Sequence, residues 1–261
     1  MLDEAEWSQP SRGEDRSSHR EHPRLRALTR PVAALSSADR ARMYEIYAAH
    51  YDGTNGRRFA DDLAAKDLVI SVHDEDGEIQ GFTTLLLIEC QANGRPARAI
   101  YSGDTIIDRE HWGSQVLAFS WIRLAGTIKR AAPDVPLYWF LIVKGHRTFR
   151  YLSAFSRSFY PHWSIPTPPA EQALIDRLAA DRFPEHYVPA RGIVHFPRSH
   201  GHLKPDLAEI TPLEAARPDV GLFLALNPDY RRGDELVCLT ELAAENLRPL
   251  ARKQFLDGLK A

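Results

Sequence analysis

Residues 99–130, AIYSGDTIIDREHWGSQVLAFSWIRLAGTIKR, decide how this chain is read, because a strand passes through a tight polar turn straight into an amphipathic helix. Gly113, Ser114 and Gln115 open the helix. Val116, Leu117, Phe119, Trp121, Leu124, Ala125 and Ile128 then recur at close to helical period, which gives it one buried face. The first turn of any helix leaves backbone N–H groups unpaired, and their partial positive charge suits an anion. Arg109 and His111 stand just before that turn. Two readings stay open on this stretch alone: an anion-binding turn, or an ordinary strand, turn and helix without a ligand.

Upstream, Ser36, Ser37 and Asp39 supply a capped start for a helix over 37–51, with Met43, Ile46 and Tyr47 on its apolar face. DGTNG at 52–56 is a loop, and Phe59, Leu63 and Ala64 mark a short second helix ending near Lys66. The run DLVISVHDEDGEIQGFTTLLLIEC from Asp67 predicts two antiparallel strands around an Asp76-Gly77 turn. Asp74, Asp76 and Gly77 belong to that turn, since the remaining ligands of a calcium loop are absent. A second turn at Asn93-Gly94 leads into a strand over 97–107, which makes a three-strand meander.

Downstream, LYWFLIV at Leu137–Val143 predicts a strand buried on both faces, so the strand–helix–strand succession implies a parallel crossover. A helix over 146–159 follows, closed by Pro161. IPTPP at 165–169 leads to a helix over 170–182, strands are predicted near 191–196 and 234–240, and a terminal helix over 241–257. The stretch NPDYRRGDELVCLTEL either completes the sheet or forms a contact in a homodimer. The charged, serine-rich residues 1–35 are expected to be a disordered or loosely attached tail. Residues 36–261 are expected to be one domain, with a core over 37–163 and a C-terminal elaboration over 164–261.

Lys+Arg 33 against Asp+Glu 35 gives a formal net charge of −2, which offers no electrostatic case for nucleic acid. Cys90 and Cys238 lie in apolar, strand-like runs and read as small buried hydrophobes rather than nucleophiles or a disulfide. No apolar run approaches the roughly 20 residues needed to span a bilayer, and the N-terminal stretch lacks the apolar core of a secretory signal, so a soluble, cytoplasmic protein is expected. His195, His200 and His202 read as a surface or hydrogen-bonded cluster rather than a metal site, and no metal is expected. No G-x-S-x-G elbow, Walker loop or dinucleotide glycine fingerprint is present, which removes the common hydrolase and kinase readings.

Two helices, an antiparallel meander, a strand-to-helix turn, a further strand and a further helix make an order that resembles the GNAT acyltransferase superfamily over roughly residues 37–163. The resemblance implies an α/β (α+β) fold with a mixed, mostly antiparallel twisted sheet flanked by helices. It also implies transfer of an acyl group from acyl-CoA, or from an acyl carrier protein, to the amine of a small molecule. In the family the pantetheine pairs with the fourth strand and the pyrophosphate sits at the next helix N-terminus. Carried over, Thr105, Ile106 and Ile107 are the strand edge, and Arg109, His111, Trp112, Gly113 and Ser114 belong to the phosphate loop. The family loop reads Gln or Arg, two residues, Gly, one residue, Gly or Ala; here Glu110 and Gln115 depart from it and only Gly113 matches. That departure leaves a non-catalytic, ligand-binding relative as the alternative.

Acyl transfer to an amine needs a group to take the amine proton and one to protonate the departing thiolate. By its place on the helix after the fifth strand, Tyr151 is the acid the resemblance implies. Asp104, just ahead of the donor edge in YSGDTIID, is the candidate base, with a structural pairing to Lys144 or Arg147 as the rival reading. Asp108 is expected to cap the turn. Lys144, His146 and Arg147 cluster after the buried strand, where they suit an acceptor carboxylate or the donor's phosphates. Trp139, with Tyr138, Phe140, Phe149, Phe155, Phe159, Tyr160 and Trp163, either lines an acyl-chain tunnel or packs the core.

Overall fold

The computed structural model describes residues 24–261. Its strands and helices run in the order β1 (Arg26–Pro31), α1 (Ser37–His50), β2 (Tyr51–Asp52), α2 (Gly56–Ala64), β3 (Leu68–His73), β4 (Ile79–Ala92), β5 (Arg95–Ile107), α3 (Val116–Arg130), β6 (Leu137–Val143) and α4 (His146–Phe155). They continue with α5 (Pro169–Arg182), β7 (Tyr187–Val188), β8 (Ile193–Val194), β9 (His202–Leu203), α6 (Pro205–Ala208), α7 (Pro212–Ala215), α8 (Pro218–Leu226), β10 (Glu235–Glu241) and α9 (Pro249–Lys260).

Eight strands form one sheet in the order β1-β3-β4-β5-β6-β10-β8-β7. All its ladders are antiparallel except β5 with β6, the crossover bridged by α3. The fold is therefore the mixed α/β, mostly antiparallel sheet flanked by helices that the sequence order implies. The local signals explain much of it. Gly77 and Gly94 adopt positive φ at the two hairpin turns, and the Ser36–Asp39 capping box closes the start of α1.

Alternation along the strands assigns the helices to two faces. Ile70, Leu85, Ile100, Trp139, Leu141, Val143 and Cys238 pack with α3, α4, α8 and α9 on one side. On the other side Val69, Phe82 and Ile106 pack under α1 and α2, while Ala99, Tyr101, Phe140, Val237 and Leu239 pack under α5. We refer to these as the α3 face and the α1 face.

Several boundaries differ from the sequence expectations. Residues 26–31, assigned above to the tail, form β1 on β3; residues 1–23 of that tail lie outside the described residues. The helix expected over 146–159 stops at Phe155, because Ser156 turns out to bridge Leu247 and the Arg157 N–H donates to the Asn246 carbonyl. The terminal helix expected over 241–257 begins at Pro249 instead, a favourable first helical residue. The stretch before it is committed elsewhere, with the Leu242 N–H on the Leu137 carbonyl. Of the strand expected near 191–196 only Ile193–Val194 pairs, while β10 joins β6 and thereby carries the C-terminal elaboration into the main sheet.

Candidate active site

Two irregularities in β5 make the site. The ladder with β4 pairs Thr83 with Thr105 but Leu85 with Ser102, so Gly103 and Asp104 together oppose the single residue Thr84. Such a bulge shifts the alternation by one residue. Tyr101 faces α1 and Ser102 faces α3, and without the bulge Asp104 would also face α3; with it, Asp104 and Ile106 face α1. Gly103 permits this, since a Cβ there would overlap the Thr84 hydroxyl and lie 2.8 Å from Lys66 Cε.

The second irregularity is the end of the β5–β6 pairing at Ser102 and Leu141, although β5 continues to Ile107 and β6 to Val143. Beyond that point the two parallel strands splay, and the β6-facing backbone of Gly103–Ile107 has no ladder partner among the described residues, the Ile107 carbonyl accepting instead from the Trp112 indole N–H at 3.1 Å. The indole N–H groups of Trp121 and Trp139 close the base of the splay, donating to the Ser102 hydroxyl at 3.1 and 2.9 Å.

A cavity of about 1150 Å³ passes through this opening and reaches both faces of the sheet. On the α3 face it is lined by Trp112–Gln115 at the helix entrance, by Arg147 and Tyr151 of α4, and by the starts of α8 and α9. On the α1 face its walls are Tyr47, Tyr51, Arg58 and Asp62, the end of α5, and Phe196, His200 and Glu235.

The N-cap of α3, Gln115, makes no side-chain capping bond; the Val116 N–H donates to the Ser114 hydroxyl at 3.4 Å, and the Leu117 and Ala118 amides have no partner among the described residues. Gly113, at φ 94°, has nothing within 4 Å of a would-be Cβ and leaves room beside those amides. Arg147 supplies a cation there, with its guanidinium 5.3 Å from the Trp112 ring centre and donating 2.6 Å to the Leu207 carbonyl. Tyr151 is half-buried on the same wall, and burial raises its phenol pKa, which keeps the hydroxyl protonated.

On the other face, Asp104 makes no ion pair or side-chain hydrogen bond among the described residues. Its carboxyl is pushed up to about 7, first by burial and then by the Asp62 and Glu235 charges, against the opposing pull of Lys144 and Lys66. The neighbouring charges are already matched: Lys144 Nζ lies 3.3 Å from Glu235 Oε1, and Lys66 Nζ lies 2.5 Å from Asp62 Oδ2. Lys144 also sits 5.4 Å from the Tyr51 ring centre, and Glu235 leads the charges that raise its pKa against burial.

The structure brings together on this cavity Asp104, Thr105, Ile106, Ile107, Trp112, Gly113, Ser114, Lys144, His146, Arg147 and Tyr151, all expected from sequence. It places three candidates elsewhere. Arg109 pairs with Asp206, and neither it nor His111 lines the cavity, because Asp108 caps the short 3-10 turn that carries both. Trp139 is buried in the core, bonded to Ser102 and tilted against Trp121 at 4.4 Å, where it borders only a small recess of about 30 Å³ beside Tyr151. His146 is also buried, 3.4 Å from Glu214, and with Arg147 it tethers the elaboration over the site. The three expected cluster histidines disperse: His195 meets Asp234 at 2.8 Å, His200 stacks on Phe196, and His202 meets Ser199. No group of three or more metal-ligating side chains occurs among the described residues.

Sequence reasoning missed Tyr51, Arg58, Tyr101, Arg182 and Glu235. All but Tyr101, which lies in β5 itself, come from elements remote from the 99–130 stretch, and none carries a local motif.

No family model matches the chain, and no curated protein sequence matches it. Among solved structures, the GNAT family N-acetyltransferase YhbS from Escherichia coli in complex with CoA matches 52% of this chain and 72% of its own, at 13% identity and a TM-score of 0.36. A probable N-acyltransferase of Enterococcus faecalis matches 52% of this chain and 33% of its own, at 11% identity and a TM-score of 0.38. Arabidopsis thaliana NAA60, in complex with a bisubstrate analogue, matches 51% of this chain and 86% of its own, at 14% identity and a TM-score of 0.37. Each of these matches covers about half of this chain.

Proposed function

We propose that the protein is an N-acyltransferase that moves an acyl group from an acyl-CoA, or from an acyl carrier protein, to the amine of a small molecule. The observation that carries this reading is the cavity through the sheet at the β5–β6 splay, with Tyr151 on one face of the opening and Asp104 on the other. A thioester laid along Gly103–Ile107 from the α3 side has backbone outside any strand ladder to bond, the Leu117 and Ala118 amides for its phosphates, and Tyr151 near its sulfur. An amine entering from the α1 side meets Asp104.

The chemistry then balances without a covalent enzyme intermediate. The amine nitrogen attacks the thioester carbonyl, the C–N bond forms and the C–S bond breaks. Asp104 takes the amine proton, directly or through a water, and Tyr151 gives a proton to the departing thiolate. A carboxylate poised near neutrality suits the first task and a buried, protonated phenol the second.

The test is thermal unfolding and native mass spectrometry of the full chain with CoA, acetyl-, octanoyl- and palmitoyl-CoA, and an acylated carrier protein. A native-state ligand at 100 times its Kd adds about 2.7 kcal/mol of stability, so a donor raises Tm by several degrees. Absence of a shift and of a complex with every one of them overturns the reading. Binding without thiol release on addition of amines favours the non-catalytic alternative.

A further inference from the structure

We propose that the acceptor is an amino acid, its carboxylate held by Arg58 and Arg182 while its amine meets Asp104. This rests on the acyl-transfer reading for the amine but stands on separate residues for the anion.

The argument is a charge account of the α1 side of the cavity. Lys144 is matched by Glu235 and Lys66 by Asp62, so both pairs are internally neutral. Two cavity-lining cations are left without a carboxylate among the described residues. Arg58 donates only to backbone carbonyls, Gly53 at 3.5 Å and Ser199 at 3.3 Å, and Arg182 lies 5.3 Å from the Tyr101 ring centre. Both are half-buried, where a guanidinium without an anion is poorly placed and a carboxylate is bound strongly. Asp104 is the one carboxyl on this side without a cation within ion-pair distance among the described residues. A molecule that carries a cation-forming amine and an anion therefore completes both ends.

Four rings follow one another along this side of the cavity. His200, next to Ser199, stacks on Phe196 at 4.0 Å; Phe196 meets Phe183 at 6.4 Å, and Phe183 meets Tyr101 at 6.2 Å. This wall suits an apolar or aromatic side chain. β2 pairs with β9 across the same end of the cavity, and the Lys204 N–H donates to the His50 carbonyl at 3.0 Å.

The experiment uses the full-length protein and pairs each of a set of L-amino acids with its C-terminal primary amide. Binding is read by calorimetry without donor, and transfer by thiol release from acetyl- and octanoyl-CoA. The expected result is binding of at least one acid, from the apolar or aromatic group, about 100-fold tighter than its amide. In Arg58→Gln and Arg182→Gln that acid-to-amide ratio falls at least tenfold, while Arg57→Gln, exposed one residue away, keeps it. Equal binding of acids and amides, no binding of any acid, or an unchanged ratio in both arginine variants overturns the proposal. Selective binding of acids with no thiol release keeps the anion site and removes the transfer reading. Thiol release with amides as fast as with acids does the reverse.

Discussion

Gly103 lies so close to Thr84 that a Cβ on it would overlap the threonine hydroxyl, and this one approach sets which face of the sheet Asp104 serves. The bulge places two residues of β5 against one of β4, and the strand beyond it presents its side chains in the opposite phase.

Gly103→Ala is therefore expected to disturb the site more than its one methyl suggests. The added carbon must displace Thr84 or Lys66, an overpacking that costs about 1–3 kcal/mol. Denaturant unfolding should show a lower midpoint, and acyl transfer should fall at least tenfold at temperatures where the variant remains folded.

Asp104→Asn separates catalysis from stability. The folded carboxyl titrates near 7, above its ordinary value of 3.8, so its favourable contribution to stability is complete below the ordinary value and is lost as pH rises towards 7. The variant is thus expected to melt higher than the parent at pH 8 and close to it at pH 4. Turnover should move the other way. Parent kcat/KM should rise with pH to a plateau above about 7, whereas the variant should be lower by about 10²–10⁴ and lack that limb. Calorimetry across pH and an initial-rate profile check the two halves.

Tyr151→Phe leaves the ring and removes the proton. Because burial holds the phenol above its ordinary range, no tyrosine limb is expected in the parent profile at neutral pH. The variant is expected to lose about a hundredfold in kcat with little change in KM for the donor, measured as thiol release at saturating amine.

Ser102→Ala tests the base of the splay. The serine oxygen accepts from both Trp121 and Trp139, and its loss leaves two buried indole N–H groups without their partner. Each costs about 1–3 kcal/mol, so Tm should fall by several degrees. Ser102→Thr should retain most of the stability.

What was legible in the sequence was local. The Asp76-Gly77 and Asn93-Gly94 turns, the Ser36–Asp39 box and the apolar run at Leu137–Val143 each carry their signal within a few residues, and the meander and crossover follow from them. β1 was not legible, because RALTRP is polar and ends in proline, the composition of an edge strand as much as of a tail. On the α3 side one strand–turn–helix carries Gly113 and Ser114, while Tyr151, on α4, is placed only by the resemblance. On the α1 side it is assembled from α2, the end of α5 and the start of β10. Arg58, Arg182 and Glu235 are brought together only by packing, and no spacing in the chain announces them. Arg109 misled for a related reason: its partner, Asp206, is 97 residues away.

The measurement that tests the central claim most directly is the rate of thiol release from acetyl-CoA and octanoyl-CoA against pH, with a mixture of amino acids present, for the parent and Asp104→Asn side by side. The account predicts amine-dependent release that rises through about pH 7 in the parent and is about 10²–10⁴ slower, without that rise, in the variant. Equal rates in the two proteins across the pH range, or release that ignores the amine, would contradict it.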